Sequence, residues 1–165
     1  MILVTGGMKS GKSRFALNKA LGYAKRAFLA TGVPFDDEMT ERILKHKQER
    51  GKLFDTYEEP IHVSNVLKQL DGTYDVILFE CITTYLGNLY HYKAEIEKSL
   101  NELVDTLSQM KSEVIVVTNE VGWSIVPENK LAREYIQTLG KLNNTLARIS
   151  QEVYLVVAGI GVRIK

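Results

Sequence analysis

Near the start of the chain, Ile2-Leu3-Val4-Thr5 runs directly into Gly6-Gly7-Met8-Lys9-Ser10-Gly11-Lys12-Ser13. A short apolar run stopped by two glycines reads as a buried strand entering a tight loop. Residues of helical composition follow over 12–23, with Gly22 near the end. The loop satisfies G-x-x-x-x-G-K-[ST] in full and lies between a strand and a helix, the setting in which that pattern cradles phosphate. Its glycines let the backbone come close to an anion. The amides of Gly6, Gly7, Met8, Lys9, Ser10 and Gly11, and those of the helix start, are expected to point at that anion. Lys12 is expected at the β- and γ-phosphates and Ser13 at a magnesium ion. The side chains of Lys9 and Ser10 read equally well as solvated loop positions.

Working outward, further strands are predicted at 26–31, 53–57, 75–80, 113–118, 152–158 and 162–164, the last two forming a hairpin around Gly159 and Gly161. Helices are predicted at 36–50, 62–70, 94–110 and 129–150. Asp36 and Asp37 suit the positive start of the first of these, and Lys45, Lys47 and Arg50 suit its end. Strands alternating with helices imply βαβ units and a mainly parallel sheet covered on both faces. Near-continuous apolar runs such as Glu113-Val-Ile-Val-Val-Thr118 agree, since a strand buried on both sides need not alternate. There is no internal repeat, low-complexity tract or linker, so a single domain over 1–165 is expected.

The bulk numbers narrow the function. At 165 residues, the chain is long enough for one well-buried core. A formal net charge of +1 gives no basic face for nucleic acid. Cys81 is the one cysteine, which excludes an intrachain disulfide and suits a reducing compartment. The opening lacks the pattern of a signal peptide, and no apolar run approaches a membrane span. A cytoplasmic location is expected.

A carboxylate partner for the phosphate loop is expected at the end of a neighbouring strand. Glu80, following Val76-Ile77-Leu78-Phe79, fits: it would hold magnesium through water or orient a nucleophile. It also reads as the acid that caps a helix starting at Ile82. Asp75 reads as a turn residue leading into the strand. Thr118-Asn119-Glu120 lies at the carboxyl end of the next strand, the edge where open α/β sheets bind ligands. Asn119 reads equally as a helix cap. Of the three histidines, His46, His62 and His91, none has metal-ligand spacing with a cysteine or another histidine, so zinc is not expected. His46 shares a helix side with Met39 and Ile43, amid lysines and arginines. A neutral imidazole is a competent nucleophile near neutral pH, and nearby cations would keep it neutral while attracting phosphate. Spacing alone reads it as an ordinary surface histidine.

Several segments together carry more than the loop does. They are ILVTGGMKSGKSR (2–14), ATG (30–32), DDEM (36–39), IxxHKxxR (43–50), ILFECITT (77–84), VTNEVGWSIVPEN (117–129) and VYLVVAGIGVRIK (153–165). In these the chain resembles, almost end to end, the bifunctional adenosylcobinamide kinase / adenosylcobinamide-phosphate guanylyltransferase family of cobalamin assembly. The resemblance implies a three-layer P-loop NTPase fold of RecA-like type, with a mainly parallel sheet, a C-terminal antiparallel hairpin and assembly as a homotrimer. It implies phosphorylation of the aminopropanol hydroxyl of adenosylcobinamide by GTP or ATP, with Mg2+. A histidine then attacks the α-phosphate of GTP, pyrophosphate leaves, and GMP passes to the cobinamide phosphate, giving adenosylcobinamide-GDP.

The matching histidine is His46. Lys47, Gln48, Glu49 and Arg50 match a nucleotide-contacting run, as do Ala30, Thr31 and Gly32 after the second strand. Glu58 and Glu80 match further contacts. Three departures stand out: Lys45 replaces the first of two adjacent histidines found in some members, Trp123 stands where smaller residues are common, and 85–93 is shorter than in several relatives. A plain P-loop kinase of a small molecule, with His46 a bystander, is the competing reading. A nucleotide-dependent binding module is a third.

Overall fold

A computed structural model describes the whole chain except Ser124, and omits the side chains of Glu38, Met39, Arg42, Lys45, His46, Glu49 and Arg50. The elements in order are β1 Ile2–Gly6, α1 Lys12–Ala20, β2 Arg26–Ala30, α2 Asp37–Arg50, β3 Asp55–Glu58, α3 Val63–Leu70 and β4 Val76–Glu80. They continue with α4 Ile82–His91, α5 Ile96–Gln109, β5 Glu113–Val117, α6 Lys130–Ile149, β6 Glu152–Val157 and β7 Ile160–Arg163.

The strands form one seven-stranded sheet in the order β3-β2-β4-β5-β1-β6-β7. Every pairing is parallel except that of β6 with β7. This is the expected P-loop architecture of RecA-like type, with β5 between the loop-bearing β1 and the acid-bearing β4. Because six strands run the same way, their carboxyl ends share one edge, which collects the phosphate loop and the ends of β2, β3, β4 and β5.

Side chains alternate along each strand, and here both faces are buried. Leu3, Leu29, Ile77, Phe79, Val114, Val116 and Val153 pack with the leucines of α3, α4, α5 and α6. Ile2, Val4, Phe28, Val76, Leu78, Ile115, Val117 and Val156 pack on the other face with Ala16 and Ala20 of α1. Three layers result, as expected.

The structure corrects three boundaries and adds the extent of one helix. Helix α1 ends at Ala20 rather than 23, because the chain turns where the Gly22 amide donates to the Lys19 carbonyl. Strand β3 starts at Asp55, since its pairing with β2 (Ala27 to Asp55, Ala30 to Glu58) sets the register rather than the apolar Leu53-Phe54. Strand β7 starts at Ile160, because a two-residue turn with positive φ at Ala158 (51°) and Gly159 (81°) closes the hairpin early. Helix α4 has no range in the sequence-based assignment, which reads only a start at Ile82 that Glu80 would cap. Its residues, rich in threonine and tyrosine and containing Gly87, are weak helix formers. Burial of Ile82, Tyr85, Leu86 and Leu89 holds it instead.

Candidate functional site

The phosphate loop owes its shape to backbone that few residues tolerate. Lys9 sits at φ 56° and Gly11 at φ 94°. A Cβ on Gly11 would lie 2.9 Å from the Cα of Gly159, so glycine here lets the loop rest on the terminal hairpin. The Gly159 amide fastens that contact by donating to the Ser10 carbonyl at 2.8 Å. Gly11 is also the N-cap of α1 and supplies no side-chain bond, which leaves the first amides of the helix open to an anion. Lys12 is buried and its Nζ donates to the Gly7 carbonyl at 3.0 Å, curled over the loop.

Met8 and Lys9 are exposed, whereas the Ser10 hydroxyl is buried with no hydrogen-bond partner among the described residues. The solvated reading of the Ser10 side chain is therefore corrected. A buried hydroxyl without a partner is costly, and it suits a loop that receives a phosphate oxygen.

Ser13 Oγ donates to Glu80 Oε1, joining the start of α1 to the end of β4. A hydroxyl and one carboxylate are hard oxygen donors of the kind magnesium takes, with phosphates and water completing its shell. Glu80 does not cap α4; Cys81 does, its Sγ accepting from the Thr84 amide at 3.4 Å. The Glu80–Cys81 peptide bond is cis. Asp75 accepts from the Lys25 amide at 2.8 Å, the turn role expected of it.

Ala30 ends β2 in register opposite Glu80, and Thr31 and Gly32 follow it. Thr31 is wholly buried: its hydroxyl donates to the Cys81 carbonyl and accepts from the Cys81 amide, both at 3.0 Å, and its carbonyl accepts from Asn88 Nδ2 at 2.7 Å. Its polar atoms thus tie β2 to β4 and α4. Gly32 packs under α2, where an added Cβ would lie 3.2 Å from Ile43 Cγ1. Lys47 of α2 pairs with Glu58 at the end of β3, at 2.6 Å. Gln48 is exposed. Position 46 lies on α2 between these two anchors, Ile43 and Lys47, while the side chains of His46, Glu49 and Arg50 fall outside the described residues.

The predicted residues therefore form two groups. Gly6 to Ser13 and Glu80 assemble around β1 and β4. Lys47, Glu58 and Gly32 assemble around β2 and β3. Four strand spacings at about 4.8 Å put Gly6 and Glu58 roughly 19 Å apart, along one continuous shelf.

At the end of β5, Asn119 does not cap a helix; its amide and its Nδ2 both donate to Thr83 Oγ1, at 3.0 and 2.9 Å. Helix α6 is capped by Asn129, which accepts from the Ala132 amide. Glu120 lies against the phosphate-loop strand: its amide donates to the Gly6 carbonyl at 3.1 Å, and its Oε1 accepts from Thr5 Oγ1 at 2.9 Å. Asn143 of α6, which sequence reasoning passed over, reaches the same place. Its Nδ2 donates to the Asn119 carbonyl at 3.0 Å and to Glu120 Oε1 at 3.3 Å, and its Oδ1 accepts from Thr118 Oγ1 at 2.8 Å. The available signal was a polar residue inside the apolar stripe Leu139, Leu142, Leu146. His62 and His91 are exposed; His91 stacks near Phe35 with ring centres 4.5 Å apart.

A family model described as cobinamide kinase / cobinamide phosphate guanyltransferase matches residues 2–164. The chain is 40% identical over 181 residues to the bifunctional adenosylcobalamin biosynthesis protein CobU of Salmonella typhimurium, covering 100% of this chain and 99% of that protein. It is 38% identical over 180 residues to the protein of the same description from Escherichia coli, again covering 100% and 99%. Among solved structures, it resembles that of the RadB recombinase with TM-score 0.47 and 18% identity, covering 93% of this chain and 72% of that one.

Proposed function

Since the chain belongs to the cobinamide kinase / cobinamide phosphate guanyltransferase family, we propose that it carries out both reactions of adenosylcobalamin biosynthesis on the strand edge described above. The observation that carries this is the assembled phosphate loop, with Lys12 folded over it and Ser13 joined to Glu80, on a chain matched end to end by the family.

In the kinase half, GTP or ATP lies on the loop. The hydroxyl of the aminopropanol arm of adenosylcobinamide attacks the γ-phosphorus. Lys12 and the loop amides hold the β- and γ-phosphates in line. Ser13 and Glu80 would hold magnesium, which supplies charge neutralisation on those phosphates.

In the guanylyl half, His46 is the nucleophile. Its imidazole nitrogen bonds to the α-phosphorus of GTP, the bond to the α–β bridging oxygen breaks, and pyrophosphate leaves with the electron pair. A phosphate oxygen of the phosphorylated cobinamide then displaces the imidazole, giving adenosylcobinamide-GDP. Position 46 is flanked on α2 by the Ile43 and Lys47 contacts, which hold the helix over the β2 and β3 ends. Lys47, Gln48, Glu49, Arg50, Gly32, Ala30 and Glu58 line the nucleotide at that end of the shelf. The whole chain acts as one domain, in a cytoplasmic homotrimer that needs no nucleic acid. Among the described residues, no helix is long and apolar enough to cross a membrane.

GTP labelled in its α-phosphate tests the reading. Label is expected to stay on the protein, to be lost in acid and to survive alkali, as a phosphoramidate does. His46→Ala is expected to abolish labelling and leave phosphorylation of cobinamide measurable. Labelling that persists in the Ala variant would remove His46 from the mechanism. Phosphorylation with no trapped GMP in the parent protein would favour the plain kinase.

A further inference from the structure

The phosphate loop, Lys12, Ser13 and Glu80 account for the nucleotide side of phosphoryl transfer. They leave open where the proton of the attacking hydroxyl goes. Among the described residues, four glutamates stand at or just beyond the carboxyl ends of the parallel strands. Glu80 is engaged by Ser13, and Glu58 by Lys47. Glu59 accepts from the Ile61 and His62 amides at the start of α3. Glu120 remains.

Glu120 is the carboxylate whose backbone is bonded to the first residue of the phosphate loop, through its amide and the Gly6 carbonyl. Its Oε1 takes two hydrogen bonds, from Thr5 on β1 and Asn143 on α6. Its Oε2 takes none among the described residues. Both donors are themselves buried, at 5% and 7% exposure, so the carboxylate is gripped by one oxygen and presents the other. Asn143 also fixes the preceding two residues, through the Asn119 carbonyl and the Thr118 hydroxyl. A buried asparagine in the apolar stripe of α6 is stabilising only because every one of these bonds is made. The network holds one side chain in one orientation beside the loop, which a general base requires.

We propose, resting on the kinase reading above, that Glu120 is the general base of phosphoryl transfer and that Thr5 and Asn143 are its positioning residues. Oε2 takes the proton of the acceptor hydroxyl. The acceptor oxygen forms its bond to the γ-phosphorus as the bond from that phosphorus to the β–γ bridging oxygen breaks, and the electron pair leaves on the nucleoside diphosphate.

The test uses the full chain with cobinamide, GTP and magnesium chloride. Glu120→Gln keeps the shape and the bonds to Thr5 and Asn143 but cannot accept the proton. It is expected to lower kcat for phosphorylation about 100-fold or more, with the KM for GTP within about twofold. Trapping of GMP from α-labelled GTP is expected to be unchanged. Thr5→Val, which removes one donor at constant volume, is expected to lower kcat by roughly threefold to tenfold with GTP affinity kept.

A Glu120→Gln protein that retains a third or more of the parent kcat would overturn the proposal. So would one that loses GTP affinity and GMP trapping along with kcat, since that marks a purely structural role. Should Glu120→Gln not fold, Thr5→Val and Glu120→Asp carry the same test, and unchanged kcat in both would overturn it. Failure of the parent protein to phosphorylate cobinamide at all would instead reject the kinase reading.

Discussion

Ser13 and Glu80, 67 residues apart in the chain, meet through a hydroxyl-to-carboxylate hydrogen bond that joins the first turn of α1 to the carboxyl end of β4. Strand β5 lies between β1 and β4, so the contact is made by α1 leaning across the sheet edge rather than by neighbouring strands.

Glu80→Gln keeps a hydrogen-bonding group opposite Ser13 and removes the charge. Stability is expected to change by less than about 1 kcal/mol, because the contact persists. Phosphoryl transfer is expected to fall roughly 100-fold, with a raised magnesium requirement, because charge stabilisation is most of what such a site contributes. Initial rates across a magnesium titration check this. A rate and requirement equal to those of the parent would remove Glu80 from the site.

The terminal hairpin supports the loop mechanically. A Cβ on Gly161 would lie 2.2 Å from the Phe15 ring, which itself packs on Tyr154 with ring centres 5.1 Å apart. Gly161→Ala is expected to cost about 1–3 kcal/mol by overpacking, seen as a Tm lower by roughly 3–10 °C. In a Phe15→Ala background the same change is expected to cost at least about 0.5 kcal/mol less, because the clashing ring is gone. A strictly additive double mutant would show that Phe15 is not what the new methyl meets.

Lys47 and Glu58 pair at 2.6 Å, yet both side chains are about half exposed, at 46% and 55%. Such pairs contribute about 0–1 kcal/mol. Lys47→Ala is therefore expected to leave the unfolding midpoint nearly unchanged while slowing GMP trapping tenfold or more, since the residue adjoins position 46. Equal losses in stability and trapping would argue for a structural role instead.

Two tyrosines link stability to alkaline pH. Burial pushes the Tyr85 hydroxyl up to about 12, with the charge of Glu102 adding to it, and burial raises that of Tyr135 as well. Both phenols are protonated in folded and unfolded chains below pH ~10, so their contribution is fully present there. Above that pH the unfolded chain ionises first, and stability is lost toward pH 12, at up to about 1.4 kcal/mol per pH unit for each group. Urea midpoints at pH 9 and 11 are expected to differ less in Tyr85→Phe than in the parent. An undiminished fall in the variant would place the loss elsewhere.

Local spacing made much of this legible in advance. Gly6, Gly11, Lys12 and Ser13 declare the loop because its chemistry requires these residue types within eight positions. The apolar runs ending at Thr5, Glu80 and Thr118 declare their strands because both faces of a parallel sheet are buried. The acid at 80 was readable from its place at a strand end, although its alternative as a helix cap was settled only when Cys81 proved to hold that position.

What the chain alone determined, then, is what neighbours in sequence enforce: a phosphate loop between a strand and a helix, alternating elements, and an acid where a strand stops. Tertiary structure decided what depends on strand order and packing. It formed α4 from weak helix formers by burying them, and rested Gly11 on Gly159. It closed the Ser10 hydroxyl away from water and turned Asn143 toward Thr118, Asn119 and Glu120. The physical reason is separation: these contacts join residues many positions apart, and only the register of the folded sheet determines which of them meet.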